Sequence, residues 1–185
     1  MKKGIIFLLA LCAAAAWGGD LNPVGNNVCG AGSIGSNPAN IEGEDEFDKI
    51  YDNLTSKIDD DELAQISSNN GVWWGSGTLP DAPFAYLMIK FVKPGGYTSG
   101  TLHWQVGVDS EAVVQVYRWN WDASPHDWDK ISENDGGYNP NWEVPAKETC
   151  SIPSSYFNPN GFLWLLFVGG GGSAVLSADV VEISY

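Results

Sequence analysis

The chain has 185 residues, with 23 acidic against 9 basic side chains, a formal charge of −14, and 22 glycines beside 9 tryptophans. So acidic a surface repels nucleic-acid backbones and anionic membrane surfaces, which are engaged through basic patches, so no nucleic-acid partner is expected. The length suits one domain with a real core, and the aromatic- and glycine-rich composition points to a β-rich extracellular module.

In chain order, Met1-Lys2-Lys3, an apolar run from Gly4 to Ala16 and the small residues Ala14-Ala15-Ala16 make residues 1–17 a signal peptide. The run is shorter than the roughly 20 apolar residues that span a bilayer, so no membrane span is expected in the mature chain. Two other processing routes compete: Leu9-Ala10-Leu11-Cys12 approaches a lipoprotein signal, and Lys2-Lys3-Gly4 resembles a prepilin leader. Cleavage removes two lysines and no acid, so the mature chain is more acidic still. Residues 18–42 are rich in Gly, Asn, Ser and Pro and are expected to be a flexible arm or linker, with the domain proper at 43–185.

Cys12 falls in the leader, which leaves Cys29 and Cys150 as an even pair. In an oxidising compartment one disulfide between them is the default, and its long loop is worth about 4–5 kcal/mol in the chain-entropy model; two separate buried thiols are the alternative. No C-x-x-C pair points to a zinc ribbon, a thioredoxin-like site or a haem attachment.

Ten acids crowd Glu42 to Glu62, and a first strand is expected near Ile50 to Lys57, then a second at Leu63 to Ser67. Asn53-Leu54-Thr55 is a glycosylation sequon in a host with that pathway. Trp73 and Trp74 sit in a glycine-rich setting. Phe84 to Val92 is a nearly continuous apolar strand closed by Pro94-Gly95-Gly96. Thr101 to Asp109 alternates, with Leu102, Trp104, Val106 and Val108 on one face. Val113 to Ile131 reads as a hairpin that places Tyr117, Trp119 and Trp121 on one side, where they form a sugar platform or, in the competing reading, are core or leave Trp121 and Trp128 as a cross-strand pair. Asp135 to Pro145 is a loop carrying Tyr138 and Trp142, and Ser154 to Gly161 is another. Phe162 to Val168 is a central buried strand, and Val175 to Tyr185 is the last. Strands at such intervals, with no amphipathic helices alternating between them, predict an all-β antiparallel two-sheet β-sandwich in a single domain.

Three stretches carry a resemblance: Val114 to Ile131, Gly161-Phe162-Leu163-Trp164-Leu165-Leu166, and Ala178-Asp179-Val180-Val181-Glu182-Ile183. Together they resemble galactose-binding-like jelly rolls, the sandwiches of many carbohydrate-binding modules. That resemblance covers roughly residues 45–185 and implies a binding or structural role on secreted or surface proteins, sometimes with a structural calcium.

Trp73, Trp74, Trp121, Trp128, Tyr138 and Trp142 are the candidate sugar-stacking side chains, since flat C–H faces of sugars pack on aromatic rings. Asp122, Asp127, Asn139 and Asn141 are nearby hydroxyl partners; the competing reading is that the hairpin aromatics are core. Asp59, Asp61 and Asp179 offer hard oxygen ligands for Ca2+, although no EF-hand loop is present and a solvated acidic turn competes. His103 and His126 stand 23 residues apart, and no G-x-S-x-G elbow supports a triad. Gly169 to Gly172 lacks the lysine of a phosphate loop. A carboxylate pair for glycoside hydrolysis has no mark beyond the abundance of acids, so no catalytic residue is expected. The expectation is a secreted or cell-surface, non-catalytic module for carbohydrate, with a glycan or cell-surface polymer as partner. The alternative is a self-associating structural subunit of an extracellular filament, sheath or surface layer.

Overall fold

The computed structural model of the chain describes residues 19–24, 30–34, 37–40, 56–67, 71–76, 83–108, 113–134, 145–170 and 175–185. The leader, Cys29, Asn53, Tyr138, Asn139, Asn141 and Trp142 lie outside the described residues. Two antiparallel sheets face one another. The six-stranded sheet runs in the order β3 (Ser56–Lys57), β2 (Gly30–Ile34), β5 (Phe84–Val92), β10 (Phe162–Gly170), β7 (Val114–Asn120), β8 (Asp127–Glu133). The five-stranded sheet runs β1 (Asp20–Leu21), β11 (Leu176–Ser184), β6 (Ser99–Val108), β9 (Glu148–Pro153), with β4 (Trp74–Gly75) also on the edge of β11. The expected all-β sandwich is what forms.

The alternation read in the sequence fixes which side chains meet between the sheets. Leu102, Trp104, Val106 and Val108 of β6 face inward and are fully buried, against Leu163, Leu165 and Phe167 of β10. The rings of Trp104 and Phe167 lie 5.7 Å apart. Each such side chain contributes about 1.5–3 kcal/mol relative to exposure. At Gly169 the sheets approach so closely that a Cβ would stand 2.8 Å from the Val108 side chain.

Four elements differ from expectation. Leu63 to Ser67 is not a strand: residues Asp60–Ile66 form a helix, α1. Asp59 caps it, accepting from the Glu62 amide at 2.9 Å, while the Glu62 carboxylate accepts from the Asp59 amide at 3.0 Å. This capping box satisfies two amides that a helix start leaves unpaired, and Leu63 and Ile66, three apart, share the buried face. Second, the described part of the stretch 18–42 is built into the sandwich. It supplies β1 to one sheet, β2 to the other and a 3-10 turn at Pro38–Asn40, because strand pairing satisfies a backbone that has few large side chains to bury. Third, Glu148–Pro153 is an edge strand that the polar sequence did not advertise. Fourth, the hairpin register pairs Trp119, not Trp121, with Trp128. Trp121 instead begins the connecting loop.

The expected Cys29–Cys150 bridge is not formed: Cys150 is a free thiol, and Cys29 lies outside the described residues. Cys150 sits on β9 and hydrogen-bonds Ser132 of β8. The Val24 amide donates to the Lys90 carbonyl at 2.9 Å and Gly30 pairs with Met88. Strands β5, β10 and β7 separate β2 from β8.

Among the described residues no helix is long and apolar enough to cross a membrane.

Candidate functional site

The inward face of the six-stranded sheet is aliphatic; its outward face is aromatic. Alternation on β7 sends Val114 and Val116 in and Tyr117 and Trp119 out. On β10 it sends Leu163, Leu165 and Phe167 in and Trp164, Leu166 and Val168 out. A second core therefore forms outside the sandwich, from Ala39, Tyr86, Met88, Trp119, Trp128, Trp164, Leu166 and Val168, with Phe84, Tyr117 and Trp121 packed on its margin.

Register aligns its largest members in one row. Lys90 pairs with Trp164, Trp119 pairs with Trp128, and the β10–β7 ladder, with Leu165 opposite Arg118, brings Trp164 level with Trp119. Lys90, Trp164, Trp119 and Trp128 thus cross β5, β10, β7 and β8 in a line about 14 Å long at normal strand spacing. The next row toward the hairpin loop holds Phe162 and Trp121, with His126 beside it. Trp119 meets Trp128 at 5.1 Å and Trp121 at 6.2 Å between ring centroids, both edge-to-face. His126 lies 5.9 Å from Trp121 and 6.3 Å from Trp119.

Exposure divides this face into floor and rim. Trp119, Trp128 and Trp164 retain 1%, 5% and 8% of their surface and form the floor. Lys90, Trp121, His126 and Phe162 are half-buried and form the rim. Part of the floor is roofed by the arm: Pro38 and Ala39 are buried, and Ala39 packs into the aromatic cluster. The turn is held by the Asn37 side chain, which accepts from the Ala39 amide at 2.9 Å and also hydrogen-bonds Tyr117.

Charge on the face is sparse. Lys130 and Glu133 pair at 3.0 Å, which raises the lysine pKa and lowers that of the carboxyl. Burial raises the Tyr117 phenol, whose hydroxyl donates to Gln115 at 2.6 Å. The Lys90 ammonium lies 3.7 Å from the centroid of Phe162 and 5.6 Å from that of Trp164. On the other side of the same strands Asp129 accepts from Arg118 at 2.8 Å and from Asn120 at 2.7 Å, and Tyr156 stacks on the guanidinium at 4.3 Å.

Of the six expected stacking residues, Trp121 and Trp128 come together here, joined by Trp119 and Trp164. Trp74 does not: it is 4% exposed, packs in the inter-sheet core and donates its indole N–H to Glu62 at 3.4 Å. Trp73, beside it, is half-buried at the β11 edge, on the other sheet and at the opposite end from the hairpin loop. Tyr138 and Trp142 lie outside the described residues. Asp122 and Asp127 sit at the hairpin loop, where Asp122 is exposed and the Asp127 carboxylate accepts from the Trp128 amide at 2.6 Å. The row Lys90–Trp164–Trp119–Trp128 was not anticipated, since β10 read as uniformly buried; the i, i+2 spacing of Phe162 and Trp164 is the signal that could have found it.

The three acids expected to bind calcium do not converge on one another through any described contact. Asp59 is committed to capping α1, Asp61 is exposed in its first turn, and Asp179 is buried at a β11 bulge, where it accepts from the Gly71 amide at 3.2 Å. Among the described residues no three His, Cys, Asp or Glu side chains are grouped to hold a metal.

No protein-family model matches the chain, and no curated protein does. Among solved structures it is similar to a family 61 carbohydrate-binding module in complex with β-1,4-galactotriose, at 6% identity and TM-score 0.33 over 55% of this chain. The chain spans 62% of that module's length. It is similar to the K3 cleaved adhesin domain of Lys-gingipain from Porphyromonas gingivalis at 16% identity and TM-score 0.38, covering 64% of this chain and 77% of the domain. A family 4 carbohydrate-binding module follows at 16% identity and TM-score 0.34, covering 61% and 94%. At such identities and scores the function rests on the chain's own aromatic face.

Proposed function

We propose that the protein is a secreted or cell-surface, non-catalytic module that binds carbohydrate at the hairpin end of its aromatic face. The observation that carries this reading is the half-buried pair Trp121 and His126, set edge-to-face over the buried Trp119. A rigid aromatic rim on a packed floor suits the apolar C–H face of a pyranose and loses little side-chain entropy on binding. Support for a non-catalytic role comes from the acids. Glu133, facing outward on β8, is paired to Lys130, while Asp129 is tied to Arg118 and Asn120 on the inner side. The basic, apolar and small-residue leader supports secretion.

Retention on insoluble polysaccharides and a glycan array test this reading, each run with and without calcium so that a contribution from Asp59, Asp61 or Asp179 registers. Trp121→Ala is expected to abolish retention while near-UV circular dichroism of the core tryptophans persists. Failure of the parent chain to bind any glycan class would overturn it.

A structural-subunit role is the second reading. It is favoured by Val72, half exposed, and half-buried Trp73 beside the two-residue strand β4, an apolar spot on a sheet edge. Light scattering that finds a monomer at high concentration would remove it.

A further inference from the structure

The geometry points to a sugar carrying a carboxylate as the ligand, with Lys90 as the residue that selects it; this rests on the carbohydrate reading above. Lys90 ends the tryptophan row, directly across the ladder from Trp164. Its ammonium lies on the rings of Phe162 and Trp164, and no carboxylate of the described residues pairs with it, in a chain with 23 acids and 9 bases. On the neighbouring strands β7 and β8, Lys130 pairs with Glu133 on this face and Arg118 with Asp129 on the other.

Lys90 is half-buried, and the ring faces under its ammonium contribute only about 0.5–2 kcal/mol. An anion delivered by the ligand completes the balance. The placement is suitable. Lys90 on β5 stands two strands, about 10 Å at sheet spacing, from Trp119 on β7, and Trp121 opens the loop just beyond it. An oligosaccharide stacked on Trp121 and His126 and running across the strands therefore reaches the ammonium with a later residue. The overall acidity of the chain narrows the class further, because a polyanion is repelled at long range. An oligosaccharide of neutral sugars with a single uronate satisfies both demands: rings stack on the aromatics and one carboxylate meets Lys90 in a charge-assisted hydrogen bond.

The test uses an array of oligosaccharides, each present with and without one terminal uronate, followed by calorimetric titration of the full chain with the pairs that bind. The uronate member is expected to bind about 10-fold more tightly at low ionic strength, with the advantage shrinking in salt. Lys90→Met, which keeps the aliphatic stem over the rings, is expected to bring the ratio to about 1; Lys90→Arg restores the preference. Lys90→Gln replaces Lys90→Met should the latter perturb the near-UV spectrum. Equal affinity for both members, or a preference that survives loss of the ammonium, overturns the assignment to Lys90 and leaves the carbohydrate reading standing. Loss of neutral binding in Trp121→Ala together with an unchanged uronate ratio in Lys90→Met has the same meaning. Binding to no member of any pair overturns both.

Discussion

Trp119 and Trp128 face one another across the β7–β8 ladder, their ring centroids 5.1 Å apart and their planes inclined at 65°. The pair locks the hairpin's register and turns the outer surface of the sheet into a second core. That gives the two tryptophans at this end of the hairpin, two residues apart, opposite roles: Trp119 is 1% exposed, whereas Trp121 is half-buried at the rim.

Trp119→Ala is therefore expected to destabilise the fold by about 3–5 kcal/mol, read as a lower urea midpoint, because it empties a packed site. Trp121→Ala is expected to change stability by no more than about 1 kcal/mol and to remove glycan retention. Similar stability losses for the two would mean that the rim is core.

Ala39 roofs the aromatic floor, so its substitution separates access from packing. Ala39→Asp buries an unpaired carboxylate and is expected to expel the Pro38–Asn40 turn, at a cost of about 1–3 kcal/mol. Binding of a hydrophobic dye to the uncovered face, measured by fluorescence, checks this; unchanged dye binding would show that the turn is not the cover.

Gly169→Ala places a Cβ 2.8 Å from the Val108 side chain, at the closest approach of the two sheets. Neither side is a flexible chain end, so a loss of about 1–3 kcal/mol is expected. Combining it with Val108→Ala should recover part of that loss, and thermal unfolding of the four proteins of the cycle measures the coupling.

Burial raises the Cys150 thiol from its ordinary 9.0 to about 11 and the Tyr97 phenol from 10.0 to about 12, and it also raises Tyr86. A group whose pKa is higher folded than unfolded contributes fully below its unfolded value, and that contribution is lost as pH rises through its folded value. Stability should hold to about pH 9 and then fall between pH 9 and 12 as the unfolded chain releases protons that the folded chain retains. Cys150→Ala is expected to soften the early part of that decline in urea titrations at stepped pH. Cys150 should also titrate as a thiol in denaturant without reductant; a disulfide at Cys150 found by mass would contradict its free state.

The sequence by itself determined the fold class and most of the long strands. Phe84–Val92 and the alternation of Leu102, Trp104, Val106 and Val108 leave little choice, since a period of two with one apolar face has one stable use. Local rules also contained α1, whose Asp59–Glu62 capping box was legible though read as strand. Tertiary structure alone decided the rest. Whether 18–42 was linker or sheet depended on pairing with distant β5 and β11, and a glycine- and serine-rich strand carries no periodicity to announce it. Above all, the tryptophan row is a property of register between β5, β10, β7 and β8. Lys90, Trp164, Trp119 and Trp128 are scattered along the chain, and only the hydrogen-bond ladders set them side by side.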